Sequence, residues 1–521
     1  MPVSFNNIPS NWRQPLYWVE VDGSMAGFPV SHMRILLVGT MITSNTPPSP
    51  LNGTATPDIP VPVGRQTDAD HFFGKGSELA CMFRASFANN FSSEIWALPV
   101  AEPTTGGAQA QATITVAAAP TDYGTLSLYI AGYPINVNVA LTDTVNMVAT
   151  NIAAAINNPP AGTPYLPVTA TAATATVTIK CRWKGVNGNM ITIRDSYYGR
   201  IGGEVMPPGL SLTYSSFTLV GGTGVPSFAN GISNMGETEF EFVCMTYTDS
   251  QSLAAWEQEY GFSDSGRWGW MRQHFGHLFS AKRDTYSNLV TWGLTRNGKV
   301  LSVLAIEPTS PSPEYEWAAA YTAKAARGLT NDPARPLQTL HMETILPAPF
   351  HDLWNLLELN TFAYSGLATQ RTIVLSDGPM IARETTTYQV NEFGFGDDAF
   401  ELVTTLATLA KVIRNQRYAI TTKFPRHKLA DDDTRFGPGQ AIVTPKIIKA
   451  ELIAEYAQDE FNGLVENLRE FKNHLIVERD PNDPNRVNVL YPPDLINQLR
   501  MFAVLAQFRL QYNRGIDQAI L

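Results

Sequence analysis

The chain has 521 residues, 44% of them hydrophobic, 10% aromatic and only 16% charged, with a formal net charge of −10. That length implies three or four domains at roughly 100–200 residues each, and the aromatic content excludes global disorder. The charged fraction is well below the ~25% usual for soluble domains, so much of the surface is expected to meet other protein.

Residues 1–31 read as an N-terminal arm. Leu16-Tyr17-Trp18-Val19-Glu20-Val21 predicts a strand whose flanks are rich in Pro and Gly, and such a strand needs a sheet to join. Met33–Gly39 is a continuous apolar run, typical of a strand covered on both faces. A helix over Ser77–Asn90 and a strand over Glu94–Pro99 complete a crossover unit of a parallel α/β sheet.

The pattern breaks over 105–222, where only nine residues are charged and short β-rich runs surround one helical stretch, Thr144–Asn157. With Gly106-Gly107 and Gly221-Gly222 at its ends, this segment reads as an inserted β-rich outer domain. The α/β signal resumes with a strand at Phe240–Met245, a helix at Ser252–Tyr260, strands at Leu289–Leu294 and Val300–Ile306, and a helix at Tyr315–Arg327. The core domain is thus discontinuous, 32–104 plus 223–345. Residues 346–498 form a mixed α+β unit. Its helix Leu402–Arg417 has the 3.6 period, a second helix starts at the Thr444-Pro445 cap, and a hairpin joins Leu475–Glu478 to Arg486–Tyr491. In the last segment, 499–521, the stretch Met501–Tyr512 alternates as a strand would, and a helix fits about as well.

Motifs for chemistry are sparse. GxSxG, GxxxxGK[ST], HExxH and GxGxxG are all absent, and Ser77 after Gly74-Lys75-Gly76 reads as a helix cap. His274 and His277 read as packing in an aromatic stretch, Asp431–Asp433 as a solvated acidic turn, and Glu239 with Glu241 as a surface strand signature. Three scattered cysteines, Cys81, Cys181 and Cys244, suit buried reduced thiols. The N-terminus lacks the features of a signal peptide and no apolar run reaches ~18 residues, so membrane insertion is not expected.

The most unusual local feature is basic. Residues 401–521 are nearly balanced, with 16 Lys+Arg and 15 Asp+Glu, so the acidic excess lies before them and no basic stripe suggests nucleic-acid binding. Within that region no acid stands between Glu401 and Asp431, while Lys411, Arg414, Arg417, Lys423, Arg426 and Lys428 do. The first three recur along one flank of the predicted helix, as a solvated face or as a dock for an acidic partner.

Four stretches together resemble the tail sheath proteins of Mu-like, contractile-tailed bacteriophages: Ser4–Ser10 (SFNNIPS), Asp332–Leu340 (DPARPLQTL), the block 423–454 (KFPRHKLADDDTRFGPGQAIVTPKIIKAELIA), and Leu495-Ile496-Asn497-Gln498 running into Phe502. The resemblance implies an α/β and α+β multidomain fold with a subtilisin-like, non-catalytic core and no cofactor. It implies a helical homopolymer of stacked six-subunit rings around a tail tube, with baseplate and tail terminator proteins as further partners. It also implies a virion location after synthesis in the host bacterial cytoplasm, and contraction that drives the tube through the envelope for genome ejection. Its terminal arms would add strands to neighbours, through Leu16, Trp18, Val19 and Val21 at one end and Phe502, Val504, Phe508 and Leu510 at the other. The six cations would then face an acidic tube. A headless injection device shares this physics, and an α/β hydrolase is the distant alternative.

Overall fold

The computed structural model describes residues 33–43, 52–103, 105–159, 164–374, 377–437 and 439–510. The strand expected at Leu16–Val21, with Leu16, Trp18, Val19 and Val21, lies outside these residues. The central sheet contains β1 (Arg34–Thr40), β2 (Val61–Pro62), β3 (Glu94–Val100), β4 (Phe242–Met245), β5 (His277–Arg283) and β6 (Leu301–Ile306) in the order β6-β5-β4-β1-β3-β2. All neighbours pair in parallel except the short edge strand β2.

Strand alternation sends Ile35 and Leu37 to one face of β1 and Leu36 and Val38 to the other, into two separate apolar clusters. The first is shared with α1 (Glu78–Asn89), the second with α2 (Ser250–Glu259) and α3 (Tyr286–Gly293). Helix α4 (Glu314–Asn331) packs beside α1 and contributes Tyr315, Trp317 and Tyr321 to the first cluster. Ser77 caps α1 as expected, accepting from the Ala80 N–H at 3.1 Å.

Two elements around the central sheet differ from expectation. Leu289–Leu294 lies largely in the helix α3, because an apolar run of that length suits either structure and the Thr285 cap decides. Strand β5 was unforeseen. Its sequence HLFSAKR opens on His and closes on Lys and Arg, yet its first five residues are buried between β4 and β6.

The 105–222 segment contains a four-stranded and a three-stranded sheet with the helix Val145–Asn157 against them. Its apolar residues, including Ile114, Ile179 and Trp183, are continuous with the α1 and α4 side of the central sheet. The chain then builds a third cluster from α5 (Val403–Lys423), α6 (Pro445–Phe461) and the antiparallel hairpin β7 (Ile476–Arg479) and β8 (Val487–Leu490). Thr444 caps α6 with Pro445 in its first turn. Residues 501–510 do not form the expected strand. Within one chain they join no ladder that would satisfy their backbone groups, and they lie exposed.

Candidate functional site

Helix α5 carries the first four of the six cations, Lys411, Arg414, Arg417 and Lys423. Val403, Leu406, Ala410 and Val412 bury its inner side. Successive three-residue steps rotate the helix surface, so positions 411, 414 and 417 span about 120° of its circumference and not a single flank. Arg414 consequently turns inward and is only 14% exposed. Its Nη2 bonds Glu239 and approaches Glu241 Oε1 at 3.4 Å, and its guanidinium carbon lies 5.5 Å from the Phe275 ring centroid. This excludes Arg414 from the outward-facing set to which the sequence assigns it.

The same contact revises the reading of Glu241 as a surface acid. Its side chain is buried beside the central strands and accepts the Arg34 backbone N–H at 2.8 Å. Burial pushes its carboxyl up to about 7, against the opposing pull of Arg414. Lys411, Arg417, Lys423, Arg426 and Lys428 are exposed. Lys423 bridges to Glu451 of α6, and Lys428 donates to Gln440 Oε1 at 3.2 Å. The outward basic surface is therefore partly compensated within the chain.

A second construction stands where the chain leaves the body. Glu384 is wholly buried, and Arg500 grips it with both terminal nitrogens, Nη1 to Oε2 at 3.0 Å and Nη2 to Oε1. Nη2 also lies 3.4 Å from Thr404 Oγ1 in the first turn of α5, and that hydroxyl donates to Gln498 Oε1 at 3.3 Å. Immediately beyond this anchor, Phe502, Val504, Phe508 and Leu510 are 82%, 69%, 86% and 97% exposed. Sequence reasoning found these apolar residues and missed the Arg500–Glu384 pair that roots them, whose members are 116 positions apart. The only signal was local: Gln498 ends a stretch already singled out.

The hairpin β7–β8 is an unfinished sheet. Among the described residues no third strand joins it, while Ile476 and Leu490 stay half exposed or more. Two strands alone are marginally stable in water, so such a sheet gains from further strands.

The residues considered for chemistry have structural surroundings. His274 Nε2 meets Glu237 at 2.9 Å, and His277 is buried 5.1 Å from the Phe279 ring, its protonation pushed down to about 3 by burial. Burial pushes the Cys81 and Cys244 thiols up to about 12 and raises Cys181 as well. Asp431 pairs with Arg479 at 2.9 Å, and Asp432 accepts the Lys446 N–H at 2.8 Å. Among the described residues, no group of three or more His, Cys, Asp or Glu could hold a metal, and no helix is long and apolar enough to cross a membrane.

Comparison with known proteins places these features in a family. The family model "Phage tail sheath C-terminal domain" matches residues 396–509, which take in α5, α6, the hairpin and Arg500. The chain is 40% identical over 510 residues to the Mu-like prophage FluMu tail sheath protein of Haemophilus influenzae, covering 98% of this chain and 100% of that one. Among solved structures it is similar to a sheath tail protein from Listeria innocua at 9% identity and a TM-score of 0.47, covering 89% of this chain and 92% of that one. A sheath tail protein from Desulfitobacterium hafniense gives 10% identity and a TM-score of 0.44, covering 93% of this chain and 100% of that one. The full-length relationship to the Haemophilus protein is decisive: the chain belongs to the tail sheath proteins of Mu-like prophages.

Proposed function

We propose that this tail sheath subunit polymerises helically around a tail tube by lending its terminal segments as strands to neighbouring copies. The observation that carries the reading is the juxtaposition of an anchored, exposed apolar segment, 501–510, with an unfinished hairpin on the same chain. The segment joins no sheet of its own chain among the described residues, whereas the hairpin of a neighbour offers open edges. A contact of this kind uses two different surfaces, so it builds rings and helices and not closed dimers. Rigid-body motion of the subunits, with the exchanged strands as hinges, would shorten the sheath and drive the tube through the host envelope for genome ejection.

In this reading Lys411, Arg417, Lys423, Arg426 and Lys428 face an acidic tube, and stacked six-subunit rings meet baseplate and tail terminator proteins at their ends. The body is a structural element and not an enzyme. Its parallel five-strand core, helical on both faces, supports the subtilisin-like description as topology without catalysis. The test is deletion of residues 501–521. The shortened chain should stay folded and soluble and form no tubes under the electron microscope; tubes of normal length would overturn the strand exchange.

A further inference from the structure

Two of the contacts that fasten helix α5 also hold Arg500 and Arg34, which lie near the two ends of the described chain. At its first turn, the Val403 N–H donates to the Glu384 carbonyl at 3.2 Å, while the Glu384 carboxylate holds Arg500 and Arg500 touches Thr404. Residues 501–510 leave from there. At its fourth turn, Arg414 binds Glu239 and Glu241, and Glu241 receives the Arg34 N–H at 2.8 Å. The Arg34 side chain in turn pairs with Glu94 at 3.0 Å. Met33, the first described residue, immediately precedes Arg34.

About 15 Å of hydrogen-bonded helix separates Thr404 from Arg414. Between the two clamps Leu406 packs into the second apolar cluster, and the seam of α5 with the sheet is otherwise made by small side chains. The small side chains Ala407 and Ala410 border a cavity of ≈ 30 Å³, beside Phe275 and the buried ring of His277. That is room for about one water. Apolar contacts carry little direction, so the directional resistance to shear between helix and sheet comes from the two guanidinium groups. Both are largely buried, where charged hydrogen bonds are strong and a planar fork resists reorientation.

We propose that α5 is the strut through which tension on the segment before residue 33 reaches the segment after residue 500, with Arg414 and Arg500 as the positioning residues that fasten it. This rests on the reading of both termini as arms shared with neighbouring copies. Each subunit then passes load from one neighbour to the next along a fixed path, instead of distributing it through the whole core. Spatial continuity alone does not establish coupling, so the test must measure it at a distance.

The experiment uses the full chain with the double variants E384Q/R500M and E241Q/R414M, which remove each clamp without leaving its buried carboxylate charged and alone. Tubes should still form, but the fraction of sheaths caught partly contracted in electron micrographs should rise at least fivefold. All-or-none contraction identical to wild type in both variants would overturn the strut. In the soluble chain, E384Q/R500M should raise amide exchange at Arg34 and Ile35, the opposite fastening, at least threefold. Unchanged exchange there overturns the proposal even if the wild-type chain makes no tubes, a failure that would count against the sheath reading instead. Should a double variant not fold, R500K keeps the charge, loses the fork and carries the same exchange measurement.

Discussion

Trp183 of the inserted segment packs edge-on against Tyr315 of α4, their ring centroids 6.1 Å apart. Both are fully buried, and nearby Asn187 donates to Glu78 of α1 at 2.6 Å. The segment that the sequence marks as an outer insertion thus shares its core with the sheet. Trp183→Ala should cost about 3–5 kcal/mol, checked by denaturant unfolding. Excision of 105–222 should leave an insoluble remainder; a soluble, polymerising remainder would mean that the junction is peripheral.

Buried carboxyls give the subunit a defined pH response. Glu241, Glu307 and Glu316 are each pushed up to about 7 by burial, from an ordinary 4.5. The folded chain holds these protons more tightly than the unfolded chain, so their contribution is fully present below about 4.5 and lost as pH rises through 7. Melting temperature should therefore fall between pH 5 and pH 8, values about the titration window. Glu316→Gln, which keeps an acceptor for the Tyr133 hydroxyl at 3.2 Å, should flatten that slope. A flat wild-type profile would contradict the assignment.

The outward cations can be tested without touching the buried one. Reversing Lys411, Arg417, Arg426 and Lys428 to Glu should leave folding and sheath polymers intact and impair co-assembly with the tube. Exposed pairs are each worth only ~0–1 kcal/mol, so the effect should appear in the multiple variant and weaken with added salt. Full-length tails in normal yield would reduce the face to solvated helix surface. Arg414→Glu, in contrast, should destabilise the subunit itself, because it sets three carboxylates together.

Ser77→Ala should cost ~1 kcal/mol through loss of the α1 cap, read as a shift in denaturant midpoint at constant slope. No shift would mean that the buried first turn, with Glu78 bonded to Thr40 and Thr246, holds the helix start unaided.

Local rules made most of the scaffold legible. Ser77, Thr144 and the Thr444-Pro445 pair mark helix starts through their own side chains, and β1 announces itself as an uninterrupted apolar run. What escaped depends on distant chain. The direction of Arg414 is set by where β4 and Phe275 lie, which helical spacing cannot reveal. Strand β5 ends in Lys282 and Arg283, and is recognisable only once two strands flank it. The Arg500–Glu384 anchor pairs residues with no local signature, although the apolar residues beyond it stood out in the sequence, where strand and helix fitted them equally.

The most direct test of strand exchange is a cryo-electron-microscopy map of polymers made from the full chain. The account predicts that residues 501–510 of one copy lie in ladder register beside the β7–β8 hairpin of the next, burying Phe502, Val504, Phe508 and Leu510. A map in which that segment folds back on its own subunit, leaving the hairpin two-stranded, would contradict it.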